Sequence, residues 1–212
     1  MPFPRLYAII DRAHTGNRTP VEVAATLLGA GVVLIQYRSK HGSSREMYED
    51  CIAIQEQVRR SGGVFIVNDR ADVARAVNAH GVHVGQDDLA VELARSVLGP
   101  GKWVGYSTHD LRQVREAHGS SANYIAFGPV FPTGSKENPD PVVGLSGLSE
   151  AHQATRKPLV AIGGITVENA RAVMEAGADS VAVMSGLLKA PDLAARAREF
   201  LAVLAAYQRS RV

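Results

Sequence analysis

Cys51 is the lone cysteine in a chain of 212 residues, so no disulfide can close within the chain and no cysteine cluster is available to hold a metal. Its place in the middle of a helical stretch reads as an inert, part-buried thiol rather than a nucleophile. Long apolar runs are also missing: none approaches the ~18 residues of a membrane span. The opening Met1-Pro2-Phe3-Pro4-Arg5 leads directly into a short strand, with no charged-then-apolar signal segment. The expectation is a cytoplasmic protein with no membrane partner. Charge of one sign is not in excess either, because 23 Lys and Arg meet 21 Asp and Glu for a net +2. The basic residues are scattered and aromatics make up only 6%, so nucleic acid is not an expected partner. A basic lining confined to one pocket would still suit small anionic metabolites. A homo-oligomer is compatible with this composition.

What is present is a chain able to bury a sizeable core, with 46% hydrophobic and 21% charged residues. Short β-rich runs alternate with helical patterns from end to end. Strands are expected at 6–11, 32–38, 64–69, 81–85, 103–108, 124–130, 159–163 and 180–184. Several are apolar on consecutive positions, as in Val32-Val33-Leu34-Ile35, which suits parallel strands covered on both faces. Helical patterns include 45–61, 89–98, 167–176 and 191–207. Pro20 and Pro191 stand where a first helical turn tolerates proline, and Gly31, Gly62, Gly81 and Gly177 where left-handed C-terminal caps are expected. Eight strands alternating with helices argue for a closed (β/α)₈ TIM barrel in the α/β class, one domain over 1–212, against an open doubly wound sheet. The long loop at 131–144, with three prolines and two glycines, is of a length that suggests function.

In such a barrel the chemistry sits at the C-terminal strand ends. Strand two ends in Gln36-Tyr37-Arg38-Ser39-Lys40, and alternation turns Gln36, Arg38 and Lys40 to one side. Those three donors would face an anionic or carbonyl-bearing ligand, although the motif taken alone reads rather as a solvated strand end. Strand three ends in Asn68-Asp69-Arg70 and strand four runs into Gly85-Gln86-Asp87-Asp88, so neighbouring strands bring acidic groups to one rim. Oxygen ligands beside a phosphate-rich substrate suit Mg²⁺; equally, Asp69 and Asp88 could cap the helices that follow. His83 reads as a packed, hydrogen-bonded strand histidine. Ile162-Gly163-Gly164 and Met184-Ser185-Gly186 end strands seven and eight, the usual phosphate site of this fold, though such glycines can also merely relieve crowding. Thr133, Ser135 and Lys136 put two hydroxyls and a cation within four residues of the long loop, able to grip an oxyanion or simply to lie exposed.

Taken in order, these motifs resemble those of the thiamine phosphate synthase family over essentially the whole chain. The resemblance implies a (β/α)₈-barrel transferase. It joins hydroxymethylpyrimidine pyrophosphate to hydroxyethylthiazole phosphate, releasing pyrophosphate, with Mg²⁺ and by a dissociative mechanism. It implies that Gln36, Arg38 and Lys40, with Asn68 and Ser107, contact the pyrimidine pyrophosphate, and that Asp69 and Asp88 hold Mg²⁺. It implies that Thr133 and Ser135 touch the thiazole phosphate and Lys136 the pyrophosphate. Gly164, Met184 and Ser185 match the backbone phosphate grip. Among these, Lys136, Ser107, Arg38 and Lys40 are the candidate catalytic residues.

Two departures stand out. Tyr37-Arg38-Ser39-Lys40 replaces the family's more usual Leu-Arg-Glu-Lys, and Ser135 replaces a more usual threonine. Related thiazole tautomerases also carry that serine, but place a histidine where this chain has Pro129 and lack the Gln86-Asp87-Asp88 cluster. A non-catalytic barrel that senses thiamine phosphates is the other rival; it would not need Asp69, Asp88 and Lys136.

Overall fold

The structure is a computed structural model that describes residues 3–134 and 140–207. Ser135 and Lys136 therefore lie outside the described residues. Eight parallel strands close in sequence order into one ring, β1 pairing with β8. They are β1 (Leu6–Asp11), β2 (Leu34–Arg38), β3 (Val64–Asn68), β4 (Gly81–Val84), β5 (Trp103–Thr108), β6 (Tyr124–Phe127), β7 (Leu159–Ile162) and β8 (Ser180–Val183). The helices α1 (Pro20–Gly29), α2 (Ser44–Ser61), α3 (Ala71–Ala76), α4 (Val91–Leu98), α5 (Leu111–Gly119), α6 (Gly144–Ala154), α7 (Val167–Glu175), α8 (Ser185–Leu188) and α9 (Leu193–Ala206) surround it. Among the described residues, no helix is long and apolar enough to cross a membrane.

Local chemistry sets the helix boundaries. Thr19 and Ser43 form reciprocal capping boxes with Glu22 and Glu46, and Pro20 opens α1 as its N–H-free first residue. Pro191 does not open the last helix as the sequence suggests. Asp192 takes the cap instead, accepting from the Ala195 N–H at 2.9 Å, so α9 starts two residues later. Gly31, Gly62 and Gly177 have the expected left-handed backbone. Gly81 is a different case: a Cβ there would lie 2.2 Å from the Trp103 carbonyl oxygen, so close strand approach requires the glycine. Several strands end one or more residues short of expectation because the chain turns sharply, as at Asp69, whose φ is +62°.

Two apolar layers hold the barrel. Val23, Leu27, Ile54, Phe65, Val104, Ile125, Val173 and Phe200 belong to the layer between strands and helices, where Cys51 is also buried. Burial and the neighbouring Asp50 carboxylate push the Cys51 thiol pKa up, which keeps it an unreactive packing group. Inside the ring, Leu34, Ile66 and Val160 pack with the rings of Tyr7 and Tyr124. The barrel interior is thus a packed core rather than an open pore.

Candidate active site

A cavity opens at the C-terminal mouth of the barrel. Gln36, Arg38, Asn68, Ser107, Thr133, Gly164, Met184 and Ser185 all line it, so residues from β2, β3 and β5, from the turns after β7 and β8, and from the long loop converge on one space. Lys40, Asp69 and Asp88 do not line that cavity and group on the adjoining rim. Ile9, Ala126, Val160, Ile162 and Ala182 give the cavity an apolar side, while Tyr7 and His83 add polar groups to its wall.

The rim group is built by two turns. Asp69 leaves β3 in a left-handed conformation, its N–H donating to the His83 carbonyl at 2.7 Å, which aims its carboxylate sideways. Lys40 Nζ donates to Asp69 Oδ2. Asp88 folds back so that its Oδ2 accepts from the Gly85 N–H at 2.7 Å. Neither aspartate caps a helix, because α3 starts behind Arg70 and α4 behind Ala90, both without a side-chain cap bond. Burial and contact with the Asp88 carboxyl raise the Asp69 pKa, against the opposing pull of Lys40. Two carboxylates in contact and partly desolvated form a site short of positive charge. Among the described residues, no group of three or more His, Cys, Asp and Glu side chains is arranged to hold a metal.

Arg38 is anchored from behind. Its guanidinium donates to Asp11, the last residue of β1, which also accepts from the Ala13 N–H at 2.9 Å. On the far wall, Gln86 Nε2 donates to the Ser107 carbonyl at 2.6 Å, and His109 Nδ1 donates to the Gly128 carbonyl at 2.6 Å. His83 is packed and hydrogen-bonded as its sequence context suggests, with Nε2 2.8 Å from Ser107 Oγ and Nδ1 3.1 Å from the Tyr124 hydroxyl. Burial pushes its pKa down to about 4, so the imidazole is neutral near pH 7.

Gly163 and Gly164 both adopt left-handed backbone, with φ of +97° and +65°. A Cβ on Gly164 would lie 2.7 Å from Phe131 Cβ and from the Pro132 carbonyl, and one on Gly163 would lie 2.5 Å from Pro129 Cβ. The pair therefore lets the long loop sit down on β7, and it lines the cavity as well. A bulky residue at Gly164 would disturb that loop whether or not a phosphate binds there.

Three residues of this site escape a reading of the polar motifs alone. Asp11, Tyr7 and Tyr124 sit in stretches that look like plain strands. Period-two alternation along Leu6–Asp11 puts Tyr7, Ile9 and Asp11 on one side, and this was the available signal.

The sequence profile of the thiamine monophosphate synthase family matches residues 6–187. The chain belongs to that family. A thiamine-phosphate synthase from Koribacter versatilis is 49% identical over 208 residues, spanning 96% of this chain and 97% of its own length. One from Chloroflexus aurantiacus is 42% identical, spanning 96% and 94%. The solved structure of thiamine phosphate pyrophosphorylase from Pyrococcus furiosus superposes with a TM-score of 0.86 at 35% identity, covering 95% of each chain. Membership of the thiamine monophosphate synthase family makes the chain an enzyme, and the C-terminal mouth is where this fold carries catalysis.

Proposed function

We propose that the chain joins hydroxymethylpyrimidine pyrophosphate to hydroxyethylthiazole phosphate, giving thiamine phosphate and pyrophosphate. The convergence of Gln36, Arg38, Asn68 and Ser107 with Gly164, Met184 and Ser185 on one cavity carries this reading, because two substrates must meet there. In it, Gln36, Asn68 and Ser107 bind the pyrimidine side, and Arg38 and Lys40 bind its pyrophosphate. Thr133, Gly164, Met184 and Ser185 hold the thiazole phosphate. Ser135 joins that second group and Lys136 the pyrophosphate side by family resemblance.

The methylene carbon–oxygen bond breaks first, and its electron pair leaves on the pyrophosphate. The thiazole nitrogen then gives its lone pair to the methylene carbon, forming the carbon–nitrogen bond. No side chain need act as covalent nucleophile or strong base. Arg38, Lys40 and Lys136 stabilise the departing charge, while the apolar side of the cavity excludes water and holds the partners face to face. Asp69 and Asp88 would hold Mg²⁺, a carboxylate pair rather than a full protein cage being suited to a hard cation that shares a phosphorylated substrate. The bound metal would neutralise charge on the leaving group.

Pro129 lines the cavity where a tautomerase would carry its histidine, and that isomerisation needs no leaving-group machinery. We place the enzyme in the cytoplasm, where phosphorylated metabolites are retained; we assign it no nucleic-acid partner and leave a homo-oligomer compatible with the reading. Mixing both substrates should release pyrophosphate, and either alone should not. An isomerase, or a barrel that only binds thiamine phosphates, would release none.

A further inference from the structure

A chain of five hydrogen-bonded side chains crosses the inside of the barrel. Gln36 Nε2 donates to the Tyr7 hydroxyl at 2.7 Å, and the Tyr7 and Tyr124 hydroxyls are 2.7 Å apart. The Tyr124 hydroxyl lies 3.1 Å from His83 Nδ1, and His83 Nε2 lies 2.8 Å from Ser107 Oγ. The five residues come from β2, β1, β6, β4 and β5, so the chain ties together strands that are not all neighbours. Both ends, Gln36 and Ser107, line the cavity.

Gln36 donates through Nε2, which leaves its carbonyl oxygen to receive. The three links beyond Tyr7 can each run in either sense. In the sense that uses every proton within the chain, Tyr7 donates to Tyr124, Tyr124 to His83 Nδ1, and His83 Nε2–H to Ser107 Oγ, so that Ser107 keeps an O–H to give.

The fold makes room for this arrangement. A Cβ on Gly105 would lie 2.1 Å from Tyr124 Cζ and 2.4 Å from His83 Nδ1, so only glycine lets the two rings lie across β5. Phe3, Trp103 and Tyr7 pack around the Tyr124 ring and fix its hydroxyl in place. Burying Gln36, Tyr7, Tyr124 and His83 costs free energy that Leu34, Ile66 and Val160, filling the same interior, do not incur. A network of this kind is of use for what its two ends present.

We propose that Tyr7, Tyr124 and His83 are positioning residues that set Gln36 as a hydrogen-bond acceptor and Ser107 as a hydrogen-bond donor, so that the cavity selects a pyrimidine bearing an amino group over the same ring without one. This rests on the transferase reading above and specifies how its pyrimidine side is recognised.

Tyr124→Phe tests it by keeping the ring and removing the central link. Both KM values are measured, together with the preference in kcat/KM for the aminopyrimidine pyrophosphate over its desamino analogue. The pyrimidine KM should rise about tenfold or more and the amino preference should fall about tenfold, as when a buried polar partner is lost, while the thiazole phosphate KM stays within about twofold. Tyr7→Phe cuts the adjacent link, should show the same pattern, and serves if the first variant does not fold. Lowered thermal stability with unchanged KM values and unchanged preference would mean a purely structural network and overturn the proposal. A wild-type enzyme that forms no thiamine phosphate removes the transferase reading and this inference with it. An active wild type with insensitive variants removes the inference alone.

Discussion

Arg38 is held by Asp11, its register partner on the neighbouring strand, and Asp11 is only 1% exposed. A long, flexible cation at the cavity wall is thereby fixed by a carboxylate the substrate does not reach. Asp11→Asn keeps an acceptor for the Ala13 N–H but removes the charge that orients the guanidinium. The KM for the pyrimidine pyrophosphate should rise by about tenfold or more, as for loss of a charge-assisted hydrogen bond, with the thiazole phosphate KM little changed. Steady-state kinetics with each substrate varied in turn checks this; equal KM values in wild type and variant would show that Arg38 needs no anchor.

Asp88→Asn separates metal binding from fold stability. The side chain can still accept from the Gly85 N–H, and the charge repulsion that adds to burial in raising the Asp69 pKa is relieved. Metal-free thermal stability should therefore hold or rise slightly. Half-saturating Mg²⁺ should increase by about tenfold or more, because one of two anionic ligands for a hard cation is lost. Turnover at limiting Mg²⁺ measures it, and normal turnover there rules out Asp88 as a ligand.

The buried His83 gives stability a pH dependence of known sign. Its pKa is about 4 in the folded protein against 6.5 for the free side chain, so the unfolded chain takes up the proton first as pH falls. Stability from this group is complete above 6.5, declines between 6.5 and 4, and levels off below. Between pH 7 and pH 5 the loss should be about 2 kcal/mol. His80, whose pKa is also lowered by burial, adds a slope of the same sign. Asp69, raised above its ordinary value, acts oppositely by withdrawing stability as pH climbs past 3.8. Urea unfolding of wild type and His83→Gln at the two pH values checks the claim; identical slopes would contradict it.

Ser185 offers a cleaner probe of the phosphate end than Gly164, whose replacement disrupts the loop packed on it. Ser185 lines the cavity, and Ser185→Asp places a carboxylate where the phosphate is proposed to sit. Thiazole phosphate affinity by calorimetry should fall about tenfold or more through like-charge repulsion, in a folded protein. Undiminished affinity would move the phosphate elsewhere.

The barrel was legible because its signal is repetitive: apolar runs such as Val32-Val33-Leu34-Ile35 recur between helical patterns, and parallel strands covered on both faces leave that mark. The mouth residues were legible through the same periodicity, since Gln36 and Arg38 fall on one side of β2 and both line the cavity. The partners were not. Asp11–Arg38 and Tyr7–Tyr124 pair residues from different strands, and distance along the chain hides them. The choice between cap and rim for Asp69 and Asp88 was equally closed to sequence, because it turned on a left-handed φ at Asp69 and a backward bond from Asp88 to Gly85.

One cavity that joins two phosphorylated substrates must lose pyrophosphate once for every carbon–nitrogen bond it makes. The most direct measurement incubates the enzyme with both substrates and Mg²⁺ and quantifies thiamine phosphate and pyrophosphate together over time. The two products should accumulate one to one, omitting either substrate should abolish both, and a chelator should stop turnover. Pyrophosphate without thiamine phosphate, or neither product from both substrates with metal present, would contradict the transferase reading.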